Sequence, residues 1–313
     1  MSRPELSIVI PCFNEVENVR AICGAVTEQA SKVAGSHEIV LIDNHSTDGT
    51  RELIRQICAE DPRIRAIFNN RDYGQMRSPT YGLYQATGRA VIGMGADFQD
   101  PPSMIPALVD QWRAGAQVVL AQRRTERASW LLTIVRRLGY AFLARFGDYP
   151  VIPGATGFGL FDRKVLDVLS GWNEPEPFFR GMVIESGFRL AVVPYDRPGR
   201  VAGESKNGFR QLTAFALSAL AGSARTLLRF PLLAAACALF VTFVLAVSAL
   251  IAALSGKPSA TIGWLTLGVG GFGMIMLALG LISEQLRLVA ERSRNVPLVI
   301  EEERINFGAA AKS

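Results

Sequence analysis

Asp97, Gln99 and Asp100 follow directly on the apolar run Ala90-Val91-Ile92 and stand just before Pro101 and Pro102. An apolar run broken at Gly93 and Gly95 and stopped by a Pro-Pro pair reads as a buried strand that ends in a polar loop. Carboxylate and amide oxygens at the carboxyl end of a strand are hard donors. They suit a divalent cation that also holds phosphates, and in open α/β sheets ligands bind at that edge. A polar loop closing on a helix start has the same composition, so the remaining chain must decide between the two readings.

The 313 residues are 49% hydrophobic and carry a net charge of +5, with a mean hydropathy of +0.22 and a pI near 9.2. That apolar content is high for a wholly soluble chain and points to a lipid-facing part. The mild positive charge suits a membrane surface or a phosphorylated ligand. Nucleic acid is not expected, because no dense Lys/Arg run interleaved with aromatics is present. Cys12, Cys23, Cys58 and Cys237 are scattered without CxxC spacing, which argues against disulfides and structural zinc and fits a reducing cytosol. Met1 to Glu5 is polar and Leu6 to Pro11 is too short for the apolar region of a secretory signal.

The elements that must position the acidic loop alternate between strand and helix. Strands are expected over Leu6–Pro11, Glu38–Asp43, Ile64–Phe68, Ala90–Met94 and Val118–Ala121. Helices are expected over Val16–Val33, Glu52–Ala59, Gly74–Ala86 and Met104–Ala114. Such alternation implies right-handed βαβ units and a parallel sheet covered on both faces. An Arg-rich loop, Gln122–Arg127, then leads to a helix over Ser129–Phe146. Asp162 is placed to cap a short helix around Val165–Leu169, and Leu190–Tyr195 returns as a strand.

Phe209–Arg229 reads as an amphipathic helix lying in a membrane interface. Phe230–Leu254 and Pro258–Ser283 are uncharged runs, each longer than the roughly 20 residues that span hydrocarbon. Arg225, Arg229, Arg287, Arg292 and Arg294 flank the outer ends while the connection holds only Lys257, which places both termini in the cytoplasm. The expected organisation is therefore a domain over 1–207, an interfacial helix over 208–229, two transmembrane helices within 230–283 and a cytoplasmic tail over 284–313. A short strand is expected at Pro297–Ile300. The localisation that follows is a multi-pass protein of the plasma membrane.

SIVIPCFNE, IDNHSTDGT, GADFQDPP, GFGLFDRKV, FFRG and GESK occur in an order and spacing that resembles glycosyltransferase family 2, and within it the polyprenyl-phosphate glycosyltransferases. The chain looks like the bactoprenol glucosyltransferase subgroup, similar to dolichyl-phosphate mannose synthase with two added C-terminal spans. The resemblance implies an α/β GT-A (Rossmann-like) fold and inverting transfer from a nucleotide-sugar, with Mg2+ or Mn2+ as cofactor. The donor would be a UDP-sugar, glucose for preference, and the acceptor undecaprenyl phosphate in cell-envelope biosynthesis. It also implies that Pro11, Asn14, Glu15 and Asp43 hold the nucleoside and that Asp97 and Gln99 meet the metal and the donor diphosphate. Arg123, Arg127, Arg136, Arg137, Arg197, Arg200 and Lys206 would grip the acceptor phosphate. The resemblance, together with Gly268, Gly270, Gly271 and Gly273 on the second span, leans toward a homo-oligomer, a tetramer.

A phosphate monoester has a second pKa near 6, so a lipid phosphate is already a dianionic nucleophile at neutral pH and needs charge more than a strong base. Asp162 is expected to orient the phosphate or the sugar, or to act as base, beside its plainer reading as a helix cap. Asp43 to Thr50 can also be read as an Asx-rich turn and helix cap alone. Arg180 in FFRG reads as a structural ion-pair residue, and His45 sits in a turn where Gly is usual. Three positions depart from the family pattern: Gly95 where Asp is usual, Asn44 where a second Asp is common, and Gly159 where Arg is common. Gly95 and Gly159 support an alternative in which the chain is a catalytically weakened scaffold that binds nucleotide or lipid phosphate for a partner flippase or transferase. A processive polysaccharide synthase is disfavoured, since it needs more spans and a QxxRW segment.

Overall fold

The computed structural model describes residues 3–124, 154–175, 177–196 and 296–307, residues 152 and 198, and individual helical positions between 264 and 293. Its frame is one sheet of strands β1 (Leu6–Cys12), β2 (His37–Asp43), β3 (Ile64–Asn69), β4 (Ala90–Gly93), β5 (Val118–Arg123), β6 (Ala155–Asp162), β7 (Leu190–Tyr195) and β8 (Glu301–Ile305). Their spatial order is β7-β5-β6-β4-β1-β2-β3-β8. The sheet is mixed: β6 runs antiparallel between β4 and β5, and β8 runs antiparallel along β3. The other strands share one direction.

Period-two alternation splits the strand side chains between two cores. Ile8, Ile10, Ile39, Leu41, Ile92 and Leu160 pack on one face. Val9, Val40, Ile42, Val91, Leu120 and Phe161 pack on the other. Helix α1 (Val19–Val33) buries Val19, Ile22, Cys23, Val26 and Ala30, the three-and-four spacing of an amphipathic helix. Helices α2 (Thr50–Glu60) and α4 (Ile105–Arg113) cover the same face through Ile54, Ile57, Ile105 and Leu108. Opposite them lie α3 (Gly74–Gln85), α5 (Arg163–Ser170) and α6 (Phe179–Glu185). Gly82 lets α3 approach the sheet closely, because a Cβ there would stand 2.9 Å from Val9 Cγ1. Cys12, Cys23 and Cys58 are free and buried, and burial pushes the Cys23 and Cys58 thiols up to about 12. Unreactive packing thiols are the result.

Three features differ from the sequence expectation. Residues 155–162 form an interior strand, so the sheet is not wholly parallel. Phe179–Glu185, which carries the FFRG arginine, is a helix. The tail strand is β8 at Glu301–Ile305 instead of Pro297–Ile300. Phe158, Leu160 and Phe161 explain the first: they alternate across the sheet into both cores, a pattern that the glycines at 157 and 159 conceal. The expected helices at 129–146 and 209–229 and the run 230–254 lie outside the described residues, as does most of 258–283. Among the described residues no helix is long and apolar enough to cross a membrane.

Candidate active site

The shared direction of β1, β2, β4, β5 and β7 brings five carboxyl ends to one edge. Cys12 is in register with Asp43, Val9 with Gly93, and Arg123 with Tyr195. At this edge the ends of β1, β4 and β5, together with α3, β6 and residues 177–180, enclose a cleft of about 390 Å3. Pro11 lines it from the end of β1 and Glu15 from the loop that follows, Asp97, Gln99 and Asp100 from the β4 loop, and Arg123 from the end of β5.

Beside the cleft, the β1 loop and the β2 turn are laced together. Asn14 donates its backbone N–H to Ser46 Oγ at 2.8 Å, and its Oδ1 accepts from Thr47 N at 2.8 Å. Glu15 N donates to Thr50 Oγ1 at 2.9 Å. Asn14 and His45 hold φ of 55° and 70°, so His45 occupies the left-handed backbone that makes Gly usual there. Asp48 accepts from Thr50 N at 3.0 Å, which makes the IDNHSTDGT segment a capped turn; neither this turn nor Asp43 and Asn14 are among the residues that line the cleft. Asp43 is fully buried. Its Oδ2 accepts from His45 N and Ser46 N at 3.1 and 3.2 Å, while its Oδ1 has no hydrogen-bond partner. Burial raises its pKa, against the opposing pull of Ser46 and Arg51.

Asn44 departs from the family's usual Asp for a visible reason. Its Nδ2 donates to Asp72 while its Oδ1 accepts from Asn69 Nδ2 and Tyr73 N. A carboxylate at 44 would face the Asp72 carboxylate with no proton to share. At Gly95, a Cβ would lie 3.4 Å from Asp97 Oδ1 and 3.5 Å from Asp100 Oδ2, so an Asp there would add a third carboxylate to a crowded pair.

In the β4 loop, Asp97 Oδ1 accepts from Gln99 N at 3.2 Å. Asp100 accepts from Gly95 N at 3.0 Å and from the Tyr195 hydroxyl at 3.2 Å, and Arg123 Nε donates to that hydroxyl at 3.4 Å. Burial raises the Asp100 pKa, against the bonds from Gly95 and Tyr195 and the charge of Arg123. Among the described residues no three His, Cys, Asp or Glu side chains gather as a metal cage. Asp97 and Gln99 nevertheless suit a cation of the Mg2+ kind, which takes one or two carboxylates from the protein and fills its shell with phosphate and water.

Asp162 is not in the cleft. It is the last residue of β6 and pairs with Ala90, the first of β4, whereas Gly159 pairs with Gly93 beside the acidic loop. Three residues of strand, roughly 10 Å, separate those two pairs. Its carboxylate caps α5 through Lys164 N at 2.9 Å and accepts from Trp112 Nε1 at 2.8 Å. The expected role of Asp162 as base or orienting group is therefore corrected to a structural one, because β6 runs antiparallel and carries it to the far edge. Gly159, also on β6, has no room for a side chain: a Cβ would stand 2.5 Å from the Val119 carbonyl oxygen.

Arg180 is a second correction. It lines the cleft with Phe178 and Phe179, donates to Ala155 O at 3.3 Å and stands over the Phe178 ring at 5.7 Å. Tyr195 gains a part that the sequence left unassigned, through its bond to Asp100. Arg127, Arg136, Arg137, Arg197, Arg200 and Lys206 lie outside the described residues. The cleft thus sets Asp97 and Gln99 near a basic, aromatic wall of Arg123, Arg180 and Phe178, an arrangement that can hold two phosphorylated groups together.

The model of the family described as "Glycosyl transferase family 2" matches residues 7–169. An uncharacterized glycosyltransferase of Synechocystis sp. is 30% identical over 305 residues, covering 95% of this chain and 94% of that protein. The bactoprenol glucosyl transferase of Shigella phage SfX is 31% identical over 217 residues, covering 66% of this chain and 68% of that protein. The glucosyl-3-phosphoglycerate synthase of Mycobacterium tuberculosis, solved with Mn2+, UDP and phosphoglyceric acid, superposes with a TM-score of 0.50 at 18% identity, covering 72% of this chain and 78% of that one. That likeness bears on the fold, which is the GT-A, Rossmann-like α/β fold. With the match spanning β1 to α5, more than half of its length, the chain belongs to glycosyltransferase family 2.

Proposed function

We propose that this chain transfers a hexose, glucose for preference, from a nucleotide-sugar of the UDP type to a polyprenyl phosphate such as undecaprenyl phosphate at the cytoplasmic face of the plasma membrane. The observation that carries the reading is one cleft in which Asp97 and Gln99 stand with Arg123 and Arg180. Support for the lipid acceptor comes from the phage relative's name and from the apolar runs 230–254 and 258–283. At described helical positions in and beyond the second run, Trp264, Ile275, Leu279, Ile282, Leu286 and Val289 are exposed. Large apolar groups exposed at helical spacing suit a lipid or protein environment better than water.

In this reading an oxygen of the lipid phosphate attacks the anomeric carbon, and the bond to the nucleoside diphosphate breaks with inversion. The phosphate dianion needs no side-chain base, which agrees with Asp162 lying at the far edge. Arg123 and Arg180 hold the nucleophile through charge-assisted bonds and Asp43 receives the nucleoside. Asp97 and Gln99 would hold Mg2+ or Mn2+, which neutralises the leaving diphosphate when bound.

The test is transfer of radiolabelled sugar from a panel of UDP- and GDP-sugars to undecaprenyl phosphate, with and without Mg2+ or Mn2+. Metal-dependent product from one donor is expected. Nucleotide binding without product from any donor would favour the scaffold for a partner flippase or transferase instead.

A further inference from the structure

Helix α3 is a wall of the cleft that its own sequence supports poorly. Gly74 opens it at a φ of 75°, Pro79 stands inside it and Gly82 follows, all weak helix formers within twelve residues. Pro79 has no N–H, so the bond that residue 79 would give the Gln75 carbonyl is not made. No acidic residue stands in the first turn. Such a helix takes its stability from what packs on it.

Its three sides have different partners, since successive residues turn by about 100°. Ser78 and Gly82 face the sheet, at Asn69 Nδ2 and the Val9 side chain. Met76, Pro79, Thr80 and Leu83 line the cleft. Arg77, Tyr81 and Gln85, spaced by four, meet the tail. Arg77 donates to the carbonyls of Leu298 and Pro297 at 2.9 and 3.0 Å. The Tyr81 hydroxyl donates to Glu301 Oε1 at 2.9 Å, and Arg304 donates to Gln85 Oε1 at 2.8 Å. Just ahead of the helix, the Tyr73 hydroxyl accepts from Ile300 N at 3.2 Å.

The tail is anchored independently of α3. Strand β8 pairs with β3, Asn306 Nδ2 donates to the Cys58 and Ile64 carbonyls at 2.7 and 2.8 Å, and Val299 is buried. The tail is thus a brace fixed to the sheet, and α3 is fixed to the brace. On its cleft side α3 borders the strand end from which the acidic loop departs, because a Cβ at Gly93 would lie 3.3 Å from Leu83 Cδ2.

We infer that tail residues 297–304 position a wall of the cleft, with Arg77 as the positioning residue through which they act: held on its tail side, α3 keeps Met76, Pro79 and Thr80 in place beside the acidic loop that meets the donor diphosphate. The inference rests on the transferase reading given above. It adds that a segment beyond the candidate membrane runs in sequence belongs to the donor-binding unit.

The experiment takes the full-length protein in detergent and follows backbone hydrogen exchange and the steady-state kinetics of transfer. Arg77→Ala should speed exchange of the amides in 74–85 by about tenfold relative to those of β1, and raise the KM for the nucleotide-sugar by about tenfold with kcat within about threefold. Tenfold is about the worth of one lost bond to a charged group. Arg77→Lys keeps a charged donor for one carbonyl and should return that KM to within about threefold of wild type. Tyr81→Phe removes only the bond to Glu301 and should move both readouts the same way by about threefold. A mere loss of folded protein lowers kcat and leaves KM alone. Unchanged exchange of 74–85 in both Arg77→Ala and Tyr81→Phe, or a fall in kcat at unchanged donor KM, overturns the inference and leaves the transferase reading standing. A wild type that makes no product from any donor overturns that reading, and with it the donor part of the inference.

Discussion

The Tyr195 hydroxyl donates to Asp100 Oδ1 at 3.2 Å and accepts from Arg123 Nε at 3.4 Å, so one phenol ties the acidic loop after β4 to the basic end of β5. Tyr195→Phe leaves the ring packed against Phe158 but strips Asp100 Oδ1 of its donor. Transfer should fall about tenfold, as expected for an unsatisfied buried acceptor beside the reacting groups. Steady-state rates together with an unchanged circular dichroism spectrum check this.

Asp97 and Asp162 separate chemistry from folding. Asp97→Ala should remove metal-dependent transfer by about a hundredfold or more, while the melting temperature stays near wild type. Asp162→Ala should keep transfer within a fewfold yet lose about 1–2 kcal/mol of stability, because Lys164 N and Trp112 Nε1 lose their acceptor. Rates and thermal melts on the same two variants decide it, and a hundredfold rate loss in Asp162→Ala would return that residue to the chemistry.

Arg180→Ala should raise the KM for lipid phosphate by about tenfold while donor binding is kept, since a lost charge-assisted bond is worth about 1.5–3 kcal/mol. Arg180→Lys should recover only part of it, because an ammonium lacks the planar fork. An unchanged acceptor KM in both variants would make Arg180 a residue that only braces the Ala155 carbonyl.

In the proposed reading Asp43 gives nucleotide binding a pH dependence. Burial raises its pKa above the ordinary value near 3.9, so protonation begins at a higher pH than for an exposed aspartate. In that reading the charged form is the one that accepts from the nucleoside. Affinity should therefore be constant above the raised pKa and fall as the pH drops through it. Nucleotide titrations from pH 4 to 8 measure this, and Asp43→Asn should bind weakly without the acidic step.

Gly159→Ala should cost about 1–3 kcal/mol, because the added Cβ meets the Val119 carbonyl at 2.5 Å and β6 must shift between two strands. Gly95→Ala meets only the tips of Asp97 and Asp100 and should leave stability near wild type. Denaturant titrations of the pair test the contrast.

Hydrophobic periodicity made the βαβ frame legible from the residues alone. Leu6, Ile8 and Ile10 alternate with Ser7 and Val9 into opposite cores, and Val19, Ile22, Val26 and Ala30 repeat at helical spacing, so local composition already states which face is buried. The acidic loop was legible too, because a strand ending in Gly-Ala-Asp and stopped by Pro-Pro must release its polar groups at the strand's end. The His45 backbone followed from the turn type.

What no window of sequence contains is the direction in which a strand joins the sheet. Asp162 follows an apolar segment just as Asp97 does, yet β6 enters antiparallel and takes it to the opposite edge, while Arg123 and Tyr195 arrive at the cleft because β5 and β7 run with β4. The tail is the extreme case. Glu302 reaches Arg51 across 251 residues of chain, and such a contact exists only once the sheet edge that holds both has formed. Residue pattern determined the elements and the chemistry available to them; strand pairing, a long-range property set by which edges remain open, decided which of those residues share a site.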